Sequence, residues 1–527
     1  MKNSRVRPSV VLVADRTLSA RYRALFEGVF ATMQTTKTPA LLVKHMLAPP
    51  VRVDGGGRAH VAPLGLRRVE ASLLRDCGLK PSEVVCTTPE YLPRLLGPWV
   101  KVVCFSSSDP LGCGMSNTTT TAFWGGELYT ALWSFELLSE LSLAKVRYGF
   151  KVIAGGAGAW QFDIVPGAAE GLGIDVIFKG YFERRGPDLI KDVLEGRSTP
   201  ARVTEDTTCV EEIAPIAGAS LLGVVELSRG CGKGCRFCTM ARLPMDHLPE
   251  EVILSDIERN VFSGVRSVVS GSEDLFRYGA AGPHVKPERL LGLLERIAAL
   301  DGLEFLQIDH ANVSSVVQYS PGELKEIRRL LELRKHARYL WVNMGVESAN
   351  GDLVRHNSPG KIAPFRPEDW EELVGEATEK LIESGFFPVL SVVLGLPGET
   401  ADDVLRTRRL IERLGRKPLV AFPVFYEPLG TEVERFGRRF SLQSMTLEHF
   451  KLFTTCYELN FKYVPRLYWD NQRAAGVRLL KRLCIQALGR AEILKWRRNF
   501  ALIGRKLSGG SGPEGLATKA VPQRESK

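Results

Sequence analysis

Within the run ELSRGCGKGCRFCTMARL, from Glu226 to Leu243, three cysteines stand at the spacing C-x3-C-x2-C: Cys231, Cys235 and Cys238. No other stretch restricts the fold as much, because three thiolates this close can grip one inorganic group. Three of them can hold three corners of a cubane iron–sulfur cluster and leave the fourth iron without a protein ligand, whereas electron-carrier clusters normally use four Cys. An open iron is what a substrate or cofactor needs in order to bind. Gly230, Gly232 and Gly234 suit a loop that bends its backbone around such a group, since glycine accepts positive φ without strain. A zinc site and three unrelated loop cysteines are the other readings. Zinc takes four ligands, typically in paired Cys or Cys/His arrangements, and no second pair lies nearby.

At these residues the chain resembles the radical SAM superfamily, whose cluster motif is C-x3-C-x2-C with an aromatic residue before the last Cys, here Phe237. The motif follows a strand-like apolar run, LLGVVEL, from Leu221 to Leu227. The resemblance implies a [4Fe-4S] cluster on the three cysteines, with S-adenosylmethionine chelating the open iron through its amino and carboxylate groups. It implies reductive cleavage of that molecule to a 5′-deoxyadenosyl radical, and hence a reducing partner such as a flavodoxin or ferredoxin.

A chain of 527 residues is long enough for two or three domains, each with its own core. No apolar run reaches the roughly 18–20 residues that span a bilayer. The N-terminal apolar run VVLVA stops at Asp15, which reads as a buried strand and not as a signal peptide. Ten cysteines in this length show no disulfide framework, and with a cluster motif present a reducing cytoplasm is the expected setting. The formal net charge of +10 is modest for the size and reads as a solvated surface, with no nucleic-acid partner expected.

Residues 1–200 alternate apolar strands with small-residue loops: SVVLVADRTL from Ser9, WVKVVCFSSSDPLGCG from Trp99, GFKVIAGGAGAW from Gly149 and GIDVIFKGYFE from Gly173. Gly126 to Val146 has apolar residues at helical spacing. This alternation predicts an open, doubly wound α/β sheet. Ligands of such sheets bind outside the carboxyl ends of the strands. The loops with Ser106, Ser107, Ser108 and Asp109, and with Gly155, Gly156 and Gly158, fall there, and small side chains let a phosphate or a flat cofactor approach the backbone.

With this domain ahead of a three-cysteine core, the chain resembles the cobalamin-binding radical SAM family, in which a flavodoxin-like domain precedes the cluster domain. SSSDPLG and WGGELYTA, the latter with Gly125 and Gly126, look like a subgroup of that family. The resemblance implies cobalamin on these loops. The D-x-H-x-x-G signature, whose His ligates cobalt, is absent. Asp246-His247 and Asp309-His310 do not match it and lie outside the domain. Cobalt is therefore expected without a protein His ligand.

Residues 201–220 are polar and irregular and read as a linker. From 221 to 430 the pattern repeats strand and helix about six times, which matches the partial (β/α)6 barrel of radical SAM enzymes. Catalytic groups of β/α barrels gather at the carboxyl ends of strands. By resemblance, Gly271, Ser272, Glu273 and Asp274 occupy the place of the superfamily's glycine–glycine–glutamate element and meet the amino group of S-adenosylmethionine. Glu347, Ser391, Gly395 and Pro397 complete the expected S-adenosylmethionine set, the last two within GLPGET. His310, Asn312 and Tyr426 are candidates for the substrate side. Tyr468 and Trp469 are placed to close the substrate cavity.

Residues 431–507 read as helical. The basic amphipathic run from Val477 is expected to cap the barrel in preference to lying on a membrane or an anionic partner. Residues 508–527 are Gly/Ser/Pro-rich and read as disordered. The expected function is a cobalamin-dependent radical SAM methyltransferase, acting on an unactivated carbon of an unidentified substrate through a 5′-deoxyadenosyl radical and methylcobalamin. A radical SAM enzyme of a non-methyl reaction (cyclisation or rearrangement), and a non-catalytic iron–sulfur redox or binding protein, are the alternatives.

Overall fold

A computed structural model describes residues 6–431 and 433–508. The stretch read as a disordered tail lies outside the described residues, apart from the helical backbone of Ser508. The chain divides into two compact units, one of residues 1–114, 126–226 and 248–268, the other of 115–125, 227–247 and 269–527.

The first unit is built on six strands: β1 (Val10–Ala14), β2 (Val84–Thr87), β3 (Val102–Ser106), β4 (Lys151–Gly155), β5 (Val176–Lys179) and β6 (Arg202–Thr204). They pair in parallel in the order β2-β1-β3-β4-β5-β6. Every residue of β1 is buried, as a strand covered on both faces requires. Alternate residues point to opposite faces. Val11, Val13, Val103 and Phe105 pack with Leu137, Leu138 and Leu141 of α2 (Tyr129–Tyr148). Val10, Leu12, Val102 and Cys104 pack on the other face with Leu66 and Leu73 of α1 (Leu64–Asp76). Strand order reverses between β1 and β3, the switch point at which doubly wound sheets take ligands.

Part of the stretch read as a linker is structured, since Arg202–Thr204 is the edge strand β6. Three backbone segments of this unit meet on one side chain. Arg68 of α1 donates from Nε to Glu226 (2.9 Å), from Nη1 to the Ala214 carbonyl (2.9 Å) and from Nη2 to Asp256 (2.5 Å). Asp256 sits on α3 (Glu250–Phe262). Burial pushes its carboxyl upward and Arg68 opposes that shift.

In the second unit, β7 (Ser267–Gly271), whose last three residues belong here, lies beside β8 (Phe305–Gln307). A four-stranded parallel sheet follows in the order β9 (His310–Ala311), β10 (Leu340–Glu347), β11 (Phe386–Leu394) and β12 (Val420–Phe425). The stretch Leu303–Val316 reads as one strand, but the backbone breaks into β8, β9 and a helical turn at Val313–Val316. Side chains capture its amides: Asp309 N donates to Ser270 Oγ (3.3 Å) and Asn312 N to Asp274 Oδ1 (3.2 Å). Such local bonds compete with ladder pairing.

Helix α4 (Ala401–Leu414) starts at a capping box in which Thr400 and Asp403 bond reciprocally. Two long helices follow, α5 (Leu447–Ala474) and α6 (Leu479–Ser508). Ile485, Trp496 and Phe500 are the buried apolar residues of α6. Phe500 and Trp496 join Phe123, Phe453 and Tyr457 in one aromatic cluster, with Phe123 stacked on Phe453 at 4.2 Å. Aromatic pairs contribute beyond their buried area, so α6 is fixed along this seam.

Candidate functional site

The three-cysteine loop is closed at its base by two residue pairs, Ser228 with His247 and Arg229 with Asp246. Within it the amides turn inward on the loop's own carbonyls: Cys231 N and Gly232 N donate to Leu243 O, and Gly234 N to Ala241 O. Gly230, Gly232 and Gly234 all have φ near +70°, and a Cβ on Gly230 would overlap the Pro244 carbonyl. Glycine is required there for the backbone to close.

A second segment braces the loop. Gly360 N donates to Lys233 O (2.9 Å) and Arg236 N to Asn357 O (3.0 Å). Arg277 Nη1 reaches Cys231 O at 3.1 Å. Burial pushes the Cys231 thiol up to about 12 and Cys238 to about 11, and raises Cys235. Lys233 and Lys361 act in the opposite direction on Cys231 and Cys235. The Ser358 hydroxyl, buried without another partner, lies beside Cys235.

Lys361 is the group that the sequence reading missed. Its ammonium pairs with Glu347. Burial disfavours its charge, but Glu347 and the nearby thiols hold it above the usual lysine range. Glu347 has φ +61°, a left-handed conformation that costs a non-glycine residue roughly 1–2 kcal/mol. A bulge in β10 between Gly345 and Glu347 re-aims its carboxylate, as bulges beside functional sites do. A Cβ on Gly345 would overlap Lys361 Nζ, so glycine makes room for the pair. Lys233 was also passed over, although it stands inside the motif. It is buried, and its ammonium lies 3.7 Å from Asp274.

The GSED element lies just past β7. Asp274 is fully buried, and its oxygens accept from Ser315 Oγ (2.6 Å) and Asn312 N (3.2 Å). Ser272 shares a hydrogen bond with Ser228 (2.6 Å), and Gly271 O accepts from Leu227 N (2.9 Å). Glu273 is part-exposed. Burial raises its pKa, His310 opposes that, and it bears on the thiols of Cys231 and Cys238. His310 Nδ1 lies 3.1 Å from Asp309. Burial disfavours its charge, but Asp309 and Glu273 raise its pKa to about 9. Asn312 Nδ2 donates to Lys361 O (2.9 Å), which commits it to bracing the same segment. Tyr426 is buried, edge-on to Phe237 with ring centroids 6.1 Å apart.

Ser391 faces Gly345 in the register of β11 on β10. Gly395, with φ +80°, donates its N–H to Glu399 Oε2 (2.7 Å). Glu399 in turn contacts His449 Nε2 at 2.9 Å, so α5 supports the GLPGET turn. Pro397 O accepts from Asn357 Nδ2 (3.0 Å). The structure thus brings the cysteine loop, Glu273, Glu347, Lys361 and His310 together. Trp469 stands apart from them, in a cleft beside Tyr339 at the amino end of β10.

In the first unit, the loops after β3 and β4 pack on each other: Gly158 N donates to Ser107 O (3.0 Å). A Cβ on Gly156 would meet Ser107 O, and one on Gly158 would overlap Pro110 and Ser108. These two glycines serve loop packing. Gly155 is part-exposed, and Ser108 and Gly156 are exposed, forming an open rim beside part-exposed Ser106. Asp109 is buried and accepts from Gly114 N (3.1 Å) and from Gln161. Gly126 has positive φ and a Cβ on it would crowd Thr36, while Gly125, also at positive φ, belongs to the second unit.

Asp15, just past β1, escaped the sequence reading. It is fully buried, which raises its pKa, and it bonds Thr17. Its Oδ2 and the Oγ1 of Thr87, the last residue of β2, are buried polar atoms without a hydrogen-bond partner at the carboxyl ends of adjacent strands. The histidines of this unit, His45 and His60, are not in these loops.

Among the described residues no three His, Cys, Asp or Glu side chains converge on a point that would hold a single metal ion. The donor set fits a cluster instead: three thiols on one glycine-turned loop with two buried ammonium groups beside them. Residues 225–411 match the family described as the radical SAM superfamily. They form a radical SAM domain. Such a domain takes a [4Fe-4S] cluster and S-adenosylmethionine.

The ribosomal protein uS12 methylthiotransferase RimO of Trichlorobacter lovleyi is 25% identical over 243 residues, which cover 45% of this chain and 50% of that protein. A tRNA-2-methylthio-N(6)-dimethylallyladenosine synthase of a Thermoanaerobacter species is 22% identical over 247 residues, 46% of this chain and 48% of that protein. The chain thus spans about half the length of the curated relatives it matches. The radical S-adenosylmethionine methyltransferase TsrM of Kitasatospora setae, solved with cobalamin and a [4Fe-4S] cluster, shares the fold. Its TM-score is 0.51 at 16% identity, over 81% of this chain and 78% of that one. No helix among the described residues is long and apolar enough to cross a membrane.

Proposed function

We propose that the chain is a cobalamin-dependent radical SAM methyltransferase acting on an unactivated carbon. The observation that carries this reading is the pairing of the radical SAM domain with a separate parallel sheet whose strand order reverses between β1 and β3. Likeness to the methylthiotransferases covers less than half of the chain. Likeness in fold to TsrM, which binds cobalamin, extends over both units.

In this reading Cys231, Cys235 and Cys238 hold the cluster. When bound, the cluster with S-adenosylmethionine supplies a hydrogen-abstracting radical, and cobalamin supplies the methyl group. Lys361 and Lys233 offset the negative charge of the thiolates. Glu273 and Glu347 face the amino end and the ribose of S-adenosylmethionine, with Ser272, Ser391, Gly395 and Pro397 lining its path. Asp274 holds the loop in register through Ser315, Asn312 and Lys233. His310 and Tyr426 stand toward the substrate. Cobalamin would rest on the rim of Ser106, Ser108, Gly155 and Gly156, with Ser107 and Asp109 supporting the rim; the family resemblance also assigns Gly125 and Gly126 to it. Reduction calls for a flavodoxin- or ferredoxin-type donor.

The test is anaerobic reconstitution with iron, sulfide and hydroxocobalamin, followed by metal analysis and product mass. Iron and stoichiometric cobalt, with a product heavier by CH2, are expected. A Cys235→Ala chain should keep its fold by circular dichroism and lose most of its iron. A product heavier by CH2S would place the chain with the methylthiotransferases. Iron without cobalt would remove the methyltransferase reading.

A further inference from the structure

Helix α6 is fixed by one face and exposes the other. Ile485, Trp496 and Phe500 are buried. The opposite stripe presents Leu480 at 75% exposure, Leu483 at 50%, Leu494 at 69% and Leu502 at 51%. These positions recur at helical spacing over 22 residues, about 33 Å of helix. Eight residues of α6 are Lys or Arg and one, Glu492, is acidic. Arg490, Arg498 and Arg505 stand among the leucines at spacings of three or four and are exposed.

A cleft of about 780 Å³ adjoins the same stripe. Leu483, Ala487 and Arg490 belong to both. Five cations line the cleft: Arg338, Lys462, Arg466, Arg473 and Arg490. Its single carboxylate, Asp470, takes Arg473 (3.2 Å) and the amide of Tyr339 (3.0 Å). The other four cations have no carboxylate partner among the described residues.

We propose that this stripe and cleft form a docking surface for an anionic phospholipid bilayer. Charge complementarity selects the occupant. A second copy of the chain would set cations against cations. An apolar protein groove would bury Arg490, Arg498 and Arg505 without partners, at high cost. A wholly acidic protein surface would leave the leucines against carboxylates. At a bilayer interface the leucines enter the acyl boundary, the arginines extend to phosphates, and the cleft takes a headgroup. The arginines on the stripe also keep α6 from inserting across the bilayer. The surface is formed by the chain alone, so the proposal stands apart from the cofactor reading.

Flotation of the full-length chain with vesicles tests it. One set is phosphatidylcholine, the other an equal mixture of phosphatidylcholine and phosphatidylglycerol. Binding to the mixed vesicles alone is expected, and it should weaken as salt rises. Arg490→Glu/Arg498→Glu and, separately, Leu480→Ser/Leu494→Ser should each reduce binding roughly tenfold or more. All four side chains are exposed, and circular dichroism checks that the variants stay folded. Equal binding to both vesicle types, or none to either, would overturn the proposal. Full binding by the leucine variant would also overturn it and point to an acidic protein partner.

Discussion

Lys361 and Glu347 are each almost fully buried beside the thiol loop, so neither charge tolerates loss of the other. Lys361→Met should destabilise the chain by about 3–5 kcal/mol, since it strands a buried carboxylate. Lys361→Met/Glu347→Gln should recover much of that loss. Chemical denaturation of the two variants measures it, and equal losses would mean that the pair is not coupled. His310 offers a pH test. Burial and Lys361 oppose its charge, but Asp309 and Glu273 raise its pKa from an ordinary 6.5 to about 9. Because the folded value is the higher one, the stabilisation is complete below 6.5 and disappears as pH rises through 9. The melting temperatures of the native chain and of His310→Gln should therefore differ at low pH and converge near pH 9. A pH-independent difference would mean that the charge of His310 is not what holds it.

At the scale of elements, the GLPGET turn depends on one glycine. Gly395→Ala would strain a backbone at φ +80° and drive a methyl group into Phe440. A loss of about 1–3 kcal/mol is expected, read as a lower midpoint in urea. Thr400→Ala, which removes the cap of α4, should cost about 1 kcal/mol. Arg68 is the corresponding point in the first unit. Arg68→Met leaves Asp256 buried without its cation, so loosening of α3 should appear as faster amide exchange along Glu250–Phe262.

For the whole molecule, two units with separate cores need not unfold together. A ligand stabilises the unit that binds it. Loading iron and sulfide should raise the melting transition of the second unit, and hydroxocobalamin that of the first. Calorimetry of singly loaded chains would separate the two effects. A cobalamin shift confined to the second unit would contradict the placement on Ser106 and its neighbours.

The sequence alone determined the features written in local order. Three cysteines and three glycines within nine residues define the thiol loop, runs such as VVLVA define buried parallel strands, and helical periodicity locates α2 to α6. Those follow from side-chain spacing, which needs no distant partner. Tertiary structure decided the rest. Lys361 acquires its role only when β10 bulges and the 357–361 segment folds back on the loop. Arg202–Thr204 looks like linker because an edge strand needs little apolar content. Leu303–Val316 looks like one strand because the side chains that break it, Ser270 and Asp274, come from another turn. Asp274 passes for a ligand-facing acid until Ser315, Asn312 and Lys233 are seen to surround it. In each case the deciding interaction joins residues far apart in the chain, and periodicity carries no record of such contacts.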